Sequence, residues 1–253
     1  MLKLEWAEKH LGAINYEINR YLRRNPCRTV GEFEPDGTHY VCRFWVDAEP
    51  PEDLPLLIGD FLTNLRAVLD HLITHLSTRN GRAPNDVAWP FCGSPREFLR
   101  ADPPGSDKWD KSSGMYRIRL IREAHQAHIQ ALQPYVTKEA PNSTLQWLNS
   151  LCNRDKHRSV RTVAVQLFGY AWNFDPAIVG IPEAEYFDGP FEHKDKMARF
   201  KIARDPNIEE PVKGSLGTIV AFRDTPGTVM LVAHMLALMA HTVRNDILPL
   251  FDA

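Results

Sequence analysis

The sequence has few of the short motifs that mark common catalytic and cofactor sites. Its 253 residues contain no Walker loop, GxGxxG, GxSxG or HExxH, which excludes the protein classes defined by those motifs. The four cysteines are scattered and form no CxxC pair, and a bond between Cys27 and Cys42 across a hairpin would need an oxidising compartment. We therefore expect reduced thiols and a cytoplasmic location.

The chain also lacks a strong charge bias and a long hydrophobic run. Its formal net charge is -2 and its pI about 6.6, so nucleic acid would have to contact a local basic patch. The longest apolar stretch, residues 228–243, is short for a membrane span and carries His234 and His241. Residues 1–10 are amphipathic and charged, unlike a secretory signal. We expect no membrane partner.

Two hydrophobic patterns divide the chain into helical and extended regions. Apolar residues recur every three to four positions in four regions, which predicts helices within residues 1–25, 56–77, 115–157 and 226–248. Residues 27–47 have the pattern of a β-hairpin around Pro35-Asp36-Gly37, and residues 160–222 are mostly extended, as in an antiparallel sheet. Residues 78–114 are rich in Gly, Pro, Ser and Asp, and an irregular segment of this length is usually functional or mobile.

These regions together predict an α+β fold in a single domain that spans residues 1–253. A helix bundle of about five helices would carry an inserted β-hairpin after its first helix and a small antiparallel sheet before its last. In that bundle we expect the helix near 56–77 to lie against the helix near 143–157.

Polar residues interrupt the second predicted helix, in the stretch NLRAVLDHLITHL. Each residue of an α-helix turns by ~100°, so Arg66 and Asp70 lie on one flank of the apolar face, while Asn64, His71 and His75 lie on the other. Arg66 and Asp70 are four apart and suit an ion pair, with His71 bonded to a backbone carbonyl. The alternative is that Arg66 and His71 line a cleft against a neighbouring helix.

A second polar patch, NRDKHR, ends the helix that precedes the sheet. Cations are favoured at a helix C-terminus, so its basic residues suit that position on electrostatic grounds alone. In the functional interpretation, Asp155 orients His157 and Lys156 holds a phosphate. We predict that the two patches fold into one solvent-reachable hollow, in which the binding residues are Asn64, Asp70, Asn153, Asp155 and Arg158.

The histidine spacing raises a metal-binding alternative. His71 and His75 are four apart, and His125 and His128 are three apart, so each pair can point into a bundle. No HExxH or ExxH accompanies either pair, and we assign no metal ligand and no cofactor.

The stretch RAVLDH, residues 66–71, resembles the Arg-x4-His motif of HEPN proteins, although Ala67 stands where a polar residue commonly follows the arginine. In that superfamily a compact helical bundle, often dimeric, cleaves RNA without a metal. The resemblance implies a toxin or phage-defence endoribonuclease in which Arg66 stabilises the phosphate charge and His71 acts as general acid or base. Lys156 and His157 would assist. The implied partners are RNA and a second copy of the chain, and the basic rim for RNA would be Arg117, Arg119, Arg122 and Arg161.

The wider order of motifs is similar to that of a family of uncharacterised bacterial proteins. The resemblance covers IGDFLTNLRAVLDHL, LQPY and LNSLCNRDKHR, that is, the patterns NLRxxLDHL and NxDKHR. It implies an architecture and no activity. The sequence therefore leaves three functions open: an endoribonuclease, a non-catalytic binding or interaction protein whose polar clusters tie helices together, and a His-rich metal-binding bundle.

Overall fold

The computed structural model describes residues 2–79, 86–140, 142–157, 160–223 and 229–251. The chain mixes α-helices with antiparallel β-sheets, as predicted. It divides into two compact units that are each assembled from separate segments. We call Met1–Ile14, Pro55–Val160 and His234–Ala253 the helical unit, and Asn15–Leu54 with Arg161–Ala233 the sheet unit.

The described residues contain seven α-helices: α1 (Leu2–Leu22), α2 (Leu54–Arg79), α3 (Pro95–Phe98), α4 (Gly114–Ile118), α5 (Glu123–Ala131), α6 (Asn142–His157) and α7 (Val232–His241). A π-helical turn (Thr242–Ile247) and a 3-10 turn (Leu248–Phe251) follow α7. The predicted apolar face of α2 is confirmed, because Ile58, Phe61, Leu62, Leu65 and Leu69 are all fully buried.

The predicted helical region 115–157 begins with two short helices, α4 and α5, which are interrupted between residues 118 and 123. The side chain of Gln126 donates hydrogen bonds to the backbone oxygens of Ile118 and Ile121, at 3.3 and 3.0 Å. In a continuous helix, these two carbonyl oxygens would accept hydrogen bonds from backbone N–H groups of the next turn. The Gln126 side chain acts as a donor in their place, so neither oxygen is left without a hydrogen bond at the break.

The strands form two antiparallel sheets: β1 (Cys27–Phe33), β2 (His39–Val46), β3 (Thr162–Phe174), β4 (Ala184–Tyr186), β5 (Lys196–Lys201) and β6 (Val212–Phe222). One sheet has the order β1-β2-β5-β4, and β3 pairs with β6 in the other. The predicted hairpin is part of the four-stranded sheet, since β5 pairs along β2 with Phe200 opposite Tyr40. Strand order depends on distant pairing, which the period-two pattern of one strand does not encode.

The register of the hairpin keeps the two nearby cysteines apart. Cys27 lies opposite Val46, whereas Cys42 lies opposite Gly31. Cys27 and Cys42 therefore do not face each other across the hairpin, and all four cysteines of the chain are free.

None of the helices in the described ranges is long and apolar enough to cross a membrane. The five-helix bundle and the single domain stay predictions. Two boundaries between the units, at residues 54/55 and 160/161, agree with the sequence patterns. The other two, at residues 14/15 and 233/234, fall inside α1 and α7.

Candidate functional site

A cavity of about 400 Å³ opens in the helical unit. We call it the cationic cavity. Arg66 contributes from α2, and Asn149, Asn153 and Lys156 contribute from α6. The segment that joins α2 to α5 supplies the rest of the lining: Pro90, Phe91, Cys92, Glu97, Arg100, Ser112 and Arg117. Residues of the two polar patches, far apart in the sequence, thus line one cavity.

The contribution of α6 follows from its helical period. Asn149, Asn153 and Lys156 are spaced by four and three residues, which places them on one face. The Arg66 guanidinium donates a hydrogen bond from Nη1 to the Asn149 Oδ1, at 3.0 Å. This bond ties α2 to α6 at the cavity wall.

The Arg66 side chain is mostly buried, with 19% of its surface exposed. Its guanidinium carbon lies 4.0 Å from the ring centre of Phe91, and its Nε lies 3.7 Å from the Asp70 carboxylate. Burial lowers the pKa of Arg66, the Asp70 charge opposes that shift, and the Arg117 charge reinforces it. The guanidinium is therefore held in position, but its charge is only partly compensated.

Hydrogen bonds connect the irregular wall of the cavity to α2 and to Gln133, just after the end of α5. The Trp89 backbone N–H donates to the Asp70 carboxylate at 2.9 Å, and the Cys92 N–H donates to the Gln133 side-chain oxygen at 3.0 Å. Asp70 thus contacts both Arg66 and the wall. Burial raises the pKa of Cys92 to about 11, so its thiol lines the cavity in the neutral form at neutral pH.

Two capped helices position the charges of this wall. Ser94 accepts a hydrogen bond from the Glu97 N–H at 3.2 Å at the start of α3, and Ser113 accepts one from the Tyr116 N–H at 3.1 Å at the start of α4. The first cap places Glu97 beside the cavity, and the second places Arg117 there.

The cavity is lined by four cationic side chains and one carboxylate, Glu97. Arg66 lies near Asp70, and Arg100 donates to the Asp110 carboxylate at 3.1 Å. Within the part of the chain that the structure describes, the side chains of Arg117 and Lys156 form no hydrogen bond or ion pair. These two cations have no fixed counter-charge, so the cavity is chemically suited to an anion.

The other predicted site residues lie outside this cavity. His71 and His157 are exposed, and neither belongs to its lining. Asn64 accepts a hydrogen bond from Lys3 at 3.2 Å and donates one to the Asp60 backbone oxygen at 2.8 Å. Arg158 lies outside the described residues.

Asp155 lies against α2 instead of beside a histidine. A Cβ added at Gly59 would stand 2.7 Å from its Oδ2, so the absence of a side chain at Gly59 makes room for this carboxylate. Burial raises the pKa of Asp155, and the Asp60 charge adds to that shift.

The cavity lining includes Asn149, Phe91 and Arg100, which the sequence patterns did not predict, and Arg117, which was predicted only as part of the basic rim. The spacing of Asn149 from Asn153 and Lys156 was an available signal, since it puts three polar side chains on one helical face. Phe91 and Arg100 carry no periodic signal, because they belong to an irregular segment whose path depends on tertiary contacts.

In the part of the chain that the structure describes, neither predicted histidine pair belongs to a cluster of side chains that could hold a metal ion. Within the described ranges, the only set of three or more close donor residues is Glu34, Asp36 and His39, in the sheet unit. His125 and His128 instead contact the Phe251 ring, at 5.4 and 6.2 Å between ring centres. The metal-binding alternative thus stays a prediction. Among the described residues, the two predicted histidine pairs do not belong to a cluster of three or more possible metal ligands.

No protein-family model, curated protein or solved structure matches this chain.

Proposed function

We propose that the helical unit binds an anionic, phosphate-bearing ligand in the cationic cavity. The observation that carries this proposal is the pair of cations, Arg117 and Lys156, that line the cavity without a counter-charge among the described residues. Two further cationic side chains, Arg66 and Arg100, also line the cavity. Guanidinium groups match the geometry of phosphate oxygens, and the amides of Asn149 and Asn153 add hydrogen-bond donors.

Phosphate suits this lining better than a single carboxylate does. The positive charges of Arg66 and Arg117 repel each other, and this repulsion contributes to the lowered pKa of Arg66. A ligand with two negative charges relieves that repulsion more than a ligand with one. The cavity volume of about 400 Å³ also exceeds the space that one carboxylate fills.

The test is titration calorimetry with inorganic pyrophosphate at low salt, with acetate as the comparison ligand that carries a single carboxylate. We expect pyrophosphate to bind the wild type more tightly, and Lys156→Ala to weaken its binding about tenfold, roughly 1.4 kcal/mol. Lys138→Ala is the matched control, because Lys138 is exposed and outside the cavity lining. Equal affinities of the wild type and Lys156→Ala would refute the proposal, as would the absence of any heat with pyrophosphate.

Endoribonuclease activity is a second candidate function, favoured by the presence of Arg66 and Lys156 in one cavity. In this version the cavity holds the scissile phosphate of RNA, and the chain is a HEPN-like dimer built on a five-helix bundle. The predicted acid–base residues His71 and His157 would then have to reach the cavity from exposed positions.

RNA cleavage in EDTA separates catalysis from binding alone. Cleavage that is lost in both Arg66→Ala and His71→Ala would support the nuclease. Intact RNA with the wild type, combined with pyrophosphate binding, would leave the non-catalytic binding function. Light scattering on the same samples gives the mass of the particle and tests the predicted dimer.

A further inference from the structure

A second cavity, of about 610 Å³, adjoins the cationic cavity. We call it the aromatic cavity. Ser112 lines both, and Arg100 of the first cavity contacts Asp110 and Ser112 of the second. The side chains that matter for the aromatic cavity are Lys108, Trp109, Lys111, Tyr116 and Arg119.

The indole of Trp109 is held at the surface by a short hairpin-like turn. Ala101 forms a β-bridge with Trp109, and on either side of it Asp102 N–H donates to the Lys108 oxygen at 2.8 Å and Asp110 N–H donates to the Arg100 oxygen at 3.0 Å. Trp109 is nevertheless 37% exposed. Trp89, in the same irregular segment, is fully buried and has no free face.

A second flat group stands beside Trp109 in the aromatic cavity. The Arg119 guanidinium lies 3.7 Å from the ring centre of Tyr116 and donates a hydrogen bond to the Tyr116 backbone oxygen. The aromatic cavity thus combines an exposed indole with a stacked guanidinium–phenol pair, two lysines and two aspartates. Flat aromatic and guanidinium surfaces of this kind bind the π-faces of nucleobases.

We propose that the two cavities together hold a 5′-mononucleotide, with its phosphate in the cationic cavity and its base stacked on Trp109. This inference rests on the proposed phosphate binding and adds the base. Because Ser112 lines both cavities, they lie side by side. A ligand with a charged group at one end and a flat ring at the other could therefore occupy both. A single cavity with four converging cations suits one phosphate group, whereas a strand needs a groove that follows its backbone over several nucleotides.

The experiment compares the affinities of the full chain for ribose 5-phosphate, adenosine 5′-monophosphate and a short single-stranded oligonucleotide. We expect the mononucleotide to bind on the order of tenfold more tightly than ribose 5-phosphate, as base stacking predicts. Trp109→Ala should remove that gain and leave the affinity for ribose 5-phosphate unchanged. Trp109→Phe, which keeps an aromatic face, should retain most of it.

Trp6→Ala is the matched control, because Trp6 is 51% exposed and outside both cavities. Equal affinities for ribose 5-phosphate and the mononucleotide would overturn the base site while leaving the phosphate proposal intact. Failure of all three ligands to bind would overturn both. An oligonucleotide that binds far more tightly than the mononucleotide, in a Trp109-dependent way, would overturn the mononucleotide in favour of a strand.

Discussion

Two charged clusters in this protein differ in whether their charges are already paired. In the sheet unit, Arg199 donates two hydrogen bonds to Glu34, at 2.9 and 2.6 Å, and His39 lies 3.8 Å from the same carboxylate. In the cationic cavity, Arg117 and Lys156 have no such partner among the described residues.

The difference shows why residue type alone is a poor guide to a site. The group of Glu34, Asp36 and His39 has the composition of a metal site, but its donor atoms are occupied by Arg199 and by Thr38. In the cationic cavity, by contrast, Arg117 and Lys156 have no counter-charge among the described residues. A cluster whose hydrogen bonds are satisfied contributes to the fold, whereas an unsatisfied one is available to a ligand.

The largest expected effect comes from removing the one cavity cation that is mostly buried. Arg66→Met removes the bond to Asn149 and the contact with Phe91, and it leaves Asp70 without a nearby cation. We expect a loss of about 2–3 kcal/mol of unfolding free energy, measured by urea denaturation. Arg199→Met, in the more exposed cluster, should cost less. If Arg199→Met lowers the unfolding free energy more than Arg66→Met does, burial does not determine how much each cluster contributes to stability.

The Asp155 carboxylate on α6, which has no hydrogen bond or ion pair among the described residues, gives an effect of the opposite sign. The pKa of Asp155 is raised above its ordinary value of 3.8, so at neutral pH its charge opposes folding. This cost is present above the folded pKa and disappears as pH falls below the unfolded value. Asp155→Asn should therefore raise the melting temperature at pH 7 and leave it unchanged near pH 3. A lower melting temperature at pH 7 would show that the carboxylate is paired after all.

Removing an unpaired cavity cation should cost little or no stability. Arg117→Gln relieves the repulsion that Arg117 exerts on Arg66, so we expect a change between zero and a gain of about 0.5 kcal/mol. The same variant should weaken pyrophosphate binding. Arg122→Gln, an exposed neighbour outside the cavity lining, serves as the control for both measurements. A large loss of stability in Arg117→Gln would show that Arg117 stabilises the folded chain instead of being available to a ligand.

The smallest effect is expected in the paired cluster, and it depends on pH. The hydrogen bonds from Arg199 lower the pKa of Glu34 below its ordinary value of 4.5. Its contribution to stability is thus complete above that value and is lost as pH falls through the lowered folded pKa. Glu34→Gln should lower the melting temperature slightly at pH 7 and not at low pH. Comparison with Asp155→Asn then gives opposite signs at neutral pH for a paired and an unpaired carboxylate.

Much of the helical pattern was predictable because burial repeats along the chain. The face of α2 that carries Phe61, Leu65 and Leu69 is buried as its spacing predicts. The break between α4 and α5 was not predictable in this way, since it depends on the side chain of Gln126 reaching carbonyls of another turn. The pairing of β5 with β2 likewise joins residues more than 150 positions apart.

The candidate site was predictable only in part for the same reason. Helical spacing puts Arg66 and His71 on different flanks of α2, but it does not say which flank meets α6. The hydrogen bond from Arg66 to Asn149 answers that question, and His71 is left exposed.

The sequence by itself determined the amphipathic helices, the extended strands and the two polar patches, because these are set by the spacing of side chains along the chain. The tertiary structure alone decided that Arg66, Arg117 and Lys156 line one cavity, that the irregular segment places Trp109 in the adjoining one, and that His71 and His157 stay outside. Whether a charge is paired depends on which distant residues pack against it, and that packing belongs to the folded chain rather than to any local stretch.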